Sequence, residues 1–416
     1  MHAEILSIGT ELTTGQSVDT NAAWLSQQLA AIGIEVTRHV TVADDFDALC
    51  ATIRQAAAAS SVVLITGGIG PTDDDVTRDA LAAAMGVELA FDPASAERIR
   101  AFFTARGRPM PDSNLVQAKF PAGSTPIENT CGTAPGIRAA VGDAAVFVMP
   151  GVPYEMKTMF AHGVLPHLAG AGRVILTRVL WCYGKGESAI AERLGELMAR
   201  DRNPLVGTTA QDTVIGVRMV ATAASTDAAK QLLDQTSTEV RERLGETVFG
   251  QDDETLADAV AALLLKHQRT VATAESCTAG LIAKSLTDVP GSSAYFTEGV
   301  VTYSNEAKTR LLEVPVEVIE QHGAVSAETA EIMAVNCRSL SGADYALAVT
   351  GIAGPDGGTP DKPVGLVYLA LADADQCIVK ELRLGEQLTR RQVRDRTRKI
   401  ALNLLRVTLL RQDVSP

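Results

Sequence analysis

The chain has 416 residues, a formal net charge of −13, and 46% hydrophobic but only 4% aromatic residues. That length exceeds one ordinary core, so two or three domains are expected, and the acidic balance argues against a nucleic-acid-binding surface as the main role. Six scattered cysteines without a CxxC pair and six histidines without ligand spacing argue against disulfide and zinc chemistry. With no signal peptide and no apolar run of membrane length, a cytoplasmic protein is expected.

Residues 1–170 alternate strand and helix patterns, as a parallel α/β sheet requires. Strands are expected at 4–8, 35–42, 61–65 and 144–149, with helices at 21–32, 46–59 and from about 75 to 85. The strand at 61–65 runs into TGGIGPTDDDVT, a glycine loop that lets the backbone approach a phosphate closely. Asp73, Asp74 and Asp75 follow at once, and carboxylates beside a phosphate call for a bridging divalent metal ion. An acidic first turn that complements the helix dipole is the plainer alternative. Glu11, Asp19 and Glu155 are expected at the same carboxyl edge of the sheet, where open α/β sheets bind ligands.

Residues 171–250 read as a small β-α-β-α unit with strands at 173–181 and 213–221 and helices at 187–200 and 226–244. Its topology could resemble a KH domain. The Gly184-Lys185-Gly186 segment lacks G-x-x-G spacing, so RNA binding is not expected and a spacer or interaction module is.

Residues 251–416 form a third block, opened by the acidic segment Gln251-Asp252-Asp253-Glu254. A helix at 256–266 precedes a strand that breaks at Glu275-Ser276-Cys277-Thr278 and continues as a helix. Ser276 therefore stands at a strand-to-helix junction, as an N-cap or as a nucleophile whose oxyanion meets the free N–H groups of the helix start. Neither His267 nor His322 has a claim as its base. Lys308, neutral if buried, is the candidate base and Tyr303 a shuttle; Lys284 is the competing base and Cys277 the competing nucleophile. Further strands are expected at 300–303, 345–349, 364–371 and 376–382, and a helix at 328–339. TGIAGPDGG, residues 350–358, is another glycine loop after a strand. The basic helix at 389–410 is either a solvated face or the source of an arginine, Arg390 or Arg394, for a phosphate.

Two sets of motifs carry a resemblance. GTELTTG, TGGIGPTDDD and PGVPYEM resemble the molybdopterin-binding, MoaB/MogA-like domain, in the form that opens proteins of the CinA family. The resemblance implies hydrolysis of ADP-ribose to AMP and ribose 5-phosphate with a divalent metal. Gly67, Gly68 and Gly70 would then form the phosphate loop, and Asp74, Asp75 and Glu11 the metal ligands. Asp73 falls at a variable position, and Thr10 stands where the family commonly has an acid.

AESCTAG, PGSS, GVVTYSNEAK, GAVS, TGIAGPDGG and KPVG follow in order over residues 274–365. They resemble the C-terminal, PncC-type nicotinamide mononucleotide amidohydrolase domain of the same family. That implies an α/β amidohydrolase domain needing no cofactor, with Ser276 as nucleophile beside Tyr303 and Lys308. Thr278, Gly280, Thr350, Gly351, Gly354 and Arg394 would bind substrate. Ala279 replaces a usual glycine and is expected to crowd the nicotinamide pocket, and Glu298 replaces another and is expected to oppose a phosphate. The whole implies a homodimeric, bifunctional enzyme of pyridine nucleotide salvage. A molybdopterin-type nucleotidyltransferase and a non-enzymatic competence or DNA-damage factor that binds recombination proteins are the alternatives.

Overall fold

The computed structural model describes residues 1–168 and 172–412. The expected boundary between residues 170 and 171 lies outside the described residues. The chain divides into two compact units, Met1–Leu176 with Ala221–Leu232, and Thr177–Val220 with Leu233–Pro416. Among the described residues no helix is long and apolar enough to cross a membrane.

The N-terminal domain is built on a six-stranded sheet in the order Glu35–Val42, His2–Ile8, Val62–Thr66, Ala144–Met149, Gly136–Val141, Thr125–Ile127. The first four strands run parallel and the last two antiparallel. Helices Phe46–Ala59 and Thr77–Met85 cover one face through Leu49, Ile53, Ala80 and Leu81. Helices Thr20–Ala31 and Pro153–Met159 cover the other through Leu25, Leu29 and Met156. Cover on both faces explains why every residue of Val62–Thr66 is apolar or small and buried. The sheet has the MoaB/MogA-like parallel architecture, to which the two antiparallel strands add an edge.

The middle domain is KH-like. It has a four-stranded sheet in the order Leu205–Gln211, Val214–Ala223, Val174–Tyr183, Val248–Gln251, with helices Glu187–Leu194 and Thr226–Leu244. The strands Leu205–Gln211 and Val248–Gln251 go beyond the β-α-β-α expectation.

The C-terminal domain is α/β. Its five strands run Phe296–Val301, Val271–Glu275, Tyr345–Gly351, Leu366–Ala372, Cys377–Arg383, the first three parallel and the last two antiparallel. One face carries alanines at 272, 274, 346, 348, 370 and 372, so the helix Ala327–Ser341 packs close through Ala330, Met333, Ala334 and Cys337. The other face packs on helices Leu256–His267 and Leu281–Thr287 and on the C-terminal helix Arg390–Gln412. That last helix is not a solvated face throughout, for Val393, Ala401, Leu402, Leu405 and Leu409 are buried at helical spacing. Val271–Glu275 lies inside the sheet with neighbours on both sides, so the residue after it emerges at the carboxyl edge.

Candidate functional sites

Ser276 is that residue. Its N–H donates to the carbonyl of Val349 (2.9 Å), which pins it to the neighbouring strand. Its Oγ lies 3.1 Å from Nζ of Lys308. Lys308 comes from the second turn of the helix Asn305–Leu312, is 1% exposed, and donates to the carbonyl of Thr302 at 2.9 Å. Burial holds its pKa below the ordinary lysine value of 10.5, the Cys277 thiol beside it pulling weakly the other way. A neutral amine in hydrogen-bond reach of a hydroxyl can accept its proton.

The two competitors named from the sequence are removed by their surroundings. Burial pushes the Cys277 thiol up to about 12, so it is not a thiolate near neutral pH. Lys284 is exposed and paired with Asp288 one turn on.

Three expectations about this site are corrected. The helix after Ser276 begins only at Leu281, because Ala279 (φ +49°) and Gly280 (φ +86°) turn the chain through left-handed backbone first. Its first free N–H groups, those of Ile282 and Ala283, donate to the buried carboxylate of Glu275 at 3.1 and 2.8 Å. They are therefore closed to an oxyanion. The N–H groups of Cys277 and Thr278 donate to no carbonyl among the described residues and remain as donors. Tyr303 is not a relay between Ser276 and Lys308 either. It is 57% exposed, and its hydroxyl accepts from Arg390 at 2.6 Å.

The residues expected to bind substrate fall into two groups. Arg394 donates to the carbonyl of Thr278 (2.8 Å), two residues before Gly280, and Arg390 donates to the carbonyl of Gly354 (3.0 Å). The four-residue spacing puts both arginines on one side of the C-terminal helix, across the turn at 276–280 and the loop at 350–358. Thr350 and Gly351 serve the frame. The Thr350 hydroxyl donates to the carbonyl of Ala324 (2.7 Å), and a Cβ on Gly351 would come within 2.8 Å of the Leu366 carbonyl oxygen. Lys362, which the sequence placed only at a strand start, donates to the carbonyls of His322 and Val325 and ties the GAVS loop to the same edge.

In the N-terminal domain the glycine loop lines a pocket of about 420 Å³ with Glu11, Asp44, Asp74, Asp75 and Glu155. Gly67 (φ +99°) and Gly68 (φ +66°) are required, because a Cβ would meet the Ile8 carbonyl at 2.3 Å and the Thr77 hydroxyl at 2.1 Å. Thr77 donates to the carbonyls of Gly67 and Gly68, and Arg78 to those of Ile69 (2.5 Å) and Gly70 (2.6 Å). Four carbonyls that would repel an anion are thus held back. The N–H groups of Gly68 and Ile69 donate to no carbonyl among the described residues. Arg78 is 2% exposed, and burial lowers its pKa against the pull of Asp75 and Asp79. It escaped the sequence analysis because an arginine in a helix's first turn reads as surface.

The carboxylates expected as metal ligands differ in what already holds them. Asp75 is turned inward, where it accepts from the N–H of Gly70 (2.7 Å) and from the N–H and hydroxyl of Thr72 (2.9 and 2.6 Å). Glu155 accepts from Asn129 at 2.7 Å, and Asp19 is the N-cap of its own helix and does not line the pocket. Among the described residues no three histidine, cysteine, aspartate or glutamate side chains converge to hold a metal ion. Glu11 and Asp74 line the pocket beside Asp75, whose oxygens are already taken up by the loop's own N–H groups. Because Asp75 staples the loop, Asp75→Ala is expected to destabilise it by about 0.5–1.5 kcal/mol by removing the acceptor of two N–H groups. Amide hydrogen exchange at Gly70 and Thr72 should then be faster than in the wild type; unchanged protection would refute the staple.

Residues 253–409 match the family described as CinA C-terminal domain, residues 177–250 the "Damage-inducible protein CinA KH domain", and residues 4–170 the "Probable molybdopterin binding domain". A CinA-like protein of Geobacter sulfurreducens is 45% identical over 414 residues, covering 99% of this chain and 100% of that protein. One from Citrifermentans bemidjiense is 44% identical over 417 residues, covering 100% and 99%. The chain belongs to the CinA family. A competence/damage inducible protein of known structure from Agrobacterium tumefaciens is 44% identical over a match covering 37% of this chain and 93% of that one, with a TM-score of 0.36.

Two positions at which this CinA chain departs from the expected motifs are exposed. Ala279 is exposed and crowds nothing inside; its left-handed φ is what a glycine would ease. Glu298 sits on the exposed edge strand in register with Ala272, four residues before Ser276. At about 3.3 Å per residue that is about 13 Å back along the sheet, out of reach of an anion at the carboxyl edge. Thr10, where the CinA motif commonly has an acid, donates from its N–H and hydroxyl to Asp44, at 2.8 and 2.9 Å, and so brings that carboxylate to the pocket rim.

Proposed function

We propose that the C-terminal domain is an amide hydrolase that converts nicotinamide mononucleotide to nicotinate mononucleotide and ammonia. The reading is carried by the contact between Ser276 Oγ and Lys308 Nζ, 3.1 Å long, made by an amine whose pKa burial holds below the ordinary lysine value. Lys308 takes the hydroxyl proton as Oγ attacks the carboxamide carbon. The oxyanion forms against the N–H groups of Cys277 and Thr278. The ammonium of Lys308 returns its proton to the amide nitrogen, the C–N bond breaks and ammonia leaves. Water, activated by the neutral amine, then attacks the acyl-enzyme, releasing the carboxylate and restoring the serine. Arg390 and Arg394 supply the positive charge for the substrate's phosphate. Tyr303 orients Arg390.

The N-terminal domain is proposed to take ADP-ribose, its diphosphate on the N–H groups of Gly68 and Ile69, where a water attacks one phosphorus and the bridging P–O bond breaks to give AMP and ribose 5-phosphate. Together the two activities would make a pyridine nucleotide salvage enzyme. Incubation of the full chain with each nucleotide in turn, with chromatography of the products, tests both. Ammonia with nicotinate mononucleotide, and AMP with ribose 5-phosphate, are the expected products. An unreacted nucleotide after prolonged incubation would refute the assignment for that domain.

A further inference from the structure

The mechanism above uses the turn at 276–280 but leaves open what keeps it in place. The helix that follows, Leu281–Thr287, has Gly280 at its N-cap and no capping side chain of its own. The cap comes from Glu275, at the end of the preceding strand, whose carboxylate is 1% exposed and accepts from Ile282 and Ala283. The Glu275 carbonyl in turn accepts from the N–H of Thr302 at 2.8 Å, the residue whose own carbonyl holds Lys308. One residue therefore touches both supports of the reacting pair: the turn that bears Ser276 and the strand end that seats the amine. Between its two grips the chain passes through consecutive left-handed residues, one of them a non-glycine, a conformation that persists only when its surroundings impose it. Glutamate reaches across that turn because its carboxylate offers two acceptor oxygens at a fixed spacing, one for each N–H.

We propose that Glu275 is a positioning residue of the hydrolase: it closes the turn at 276–280 so that Ser276 meets Lys308 and the N–H groups of Cys277 and Thr278 stay free for the oxyanion. The proposal rests on the amide-hydrolase reading given above. Glu275→Gln keeps the size but offers one acceptor oxygen and sets an amide N–H₂ against the other N–H. Glu275→Asp keeps the charge but is one methylene short.

The test measures ammonia release from nicotinamide mononucleotide by the full chain. It also measures the labelling rate of Ser276 by a serine-directed fluorophosphonate, with Ser276→Ala as the blank and circular dichroism to confirm folding. Glu275→Gln is expected to lower kcat and the labelling rate in parallel by about 100-fold, the scale of a lost oxyanion donor or misplaced nucleophile. KM should stay within about threefold and the midpoint of the rising pH limb should not move, because Lys308 keeps its burial. Glu275→Asp should fall between, and it decides the matter if the glutamine variant does not fold. A folded glutamine variant with kcat and labelling within about threefold of wild type overturns the proposal, as does a loss confined to KM. A wild type that labels but releases no ammonia refutes the substrate and leaves the labelling comparison to judge Glu275. A wild type that does not label refutes Ser276 as nucleophile and Glu275 with it.

Discussion

Ser276→Ala is expected to lower ammonia release from nicotinamide mononucleotide by about 10³-fold or more, with the chain still folded. The size follows from the site. The neighbouring nucleophile is the Cys277 thiol, and burial keeps it protonated. Folding should survive because the hydroxyl supports nothing else: the Ser276 backbone is held by Val349, and Lys308 keeps its bond to the Thr302 carbonyl. The measurement is steady-state ammonia release beside circular dichroism. A folded variant that retains a tenth of wild-type turnover would remove Ser276 from the mechanism.

Lys308→Met should be nearly as damaging, with a loss of about 10²–10⁴-fold in kcat, the range of a general base. Lys308→Arg should not restore activity, because a guanidinium stays protonated and cannot accept the serine proton. Activity requires the neutral amine, so turnover in the wild type should rise with pH. Desolvation places the midpoint of that rise below the ordinary lysine value of 10.5. An arginine variant with near wild-type kcat, or a wild-type profile that only falls with pH, would exclude Lys308 as the base.

Much of this site could be read from the chain before its structure. A β-branched and alanine run ending at a polar break placed Ser276 at a sheet edge, and the single lysine after TYSNEA supplied the candidate base. Less visible was direction. Asp75 is as good a carboxylate as Asp74 in the sequence, and only the fold sets its oxygens on the N–H groups of Gly70 and Thr72 at the pocket wall. Tyr303 read as a strand end near the nucleophile, yet the strand stops at Val301 and the ring projects outward to Arg390. The helix after Ser276 was expected to start at once, since periodicity does not register two left-handed residues when one of them is alanine. Glu275 read only as part of a break, because a carboxylate in a strand gives no sign of reaching across a turn. The strands Thr125–Ile127 and Val248–Gln251 were missed because three or four residues are too few to show alternation.

The buried amine of Lys308 has a consequence for the whole C-terminal domain. In the unfolded chain that lysine binds a proton up to about pH 10.5, whereas in the folded chain desolvation opposes it. Unfolding therefore takes up a proton in the interval between the depressed value and the ordinary one. Across that interval resistance to denaturation climbs with alkalinity and declines toward acid. The isosteric methionine has no such proton to gain. The variant that silences the reaction should thus also melt at a higher temperature near neutral pH, as an active site kept at the expense of robustness predicts. An equal or lower melting temperature would mean that the amine is better accommodated, and closer to charged, than the proposed catalyst needs.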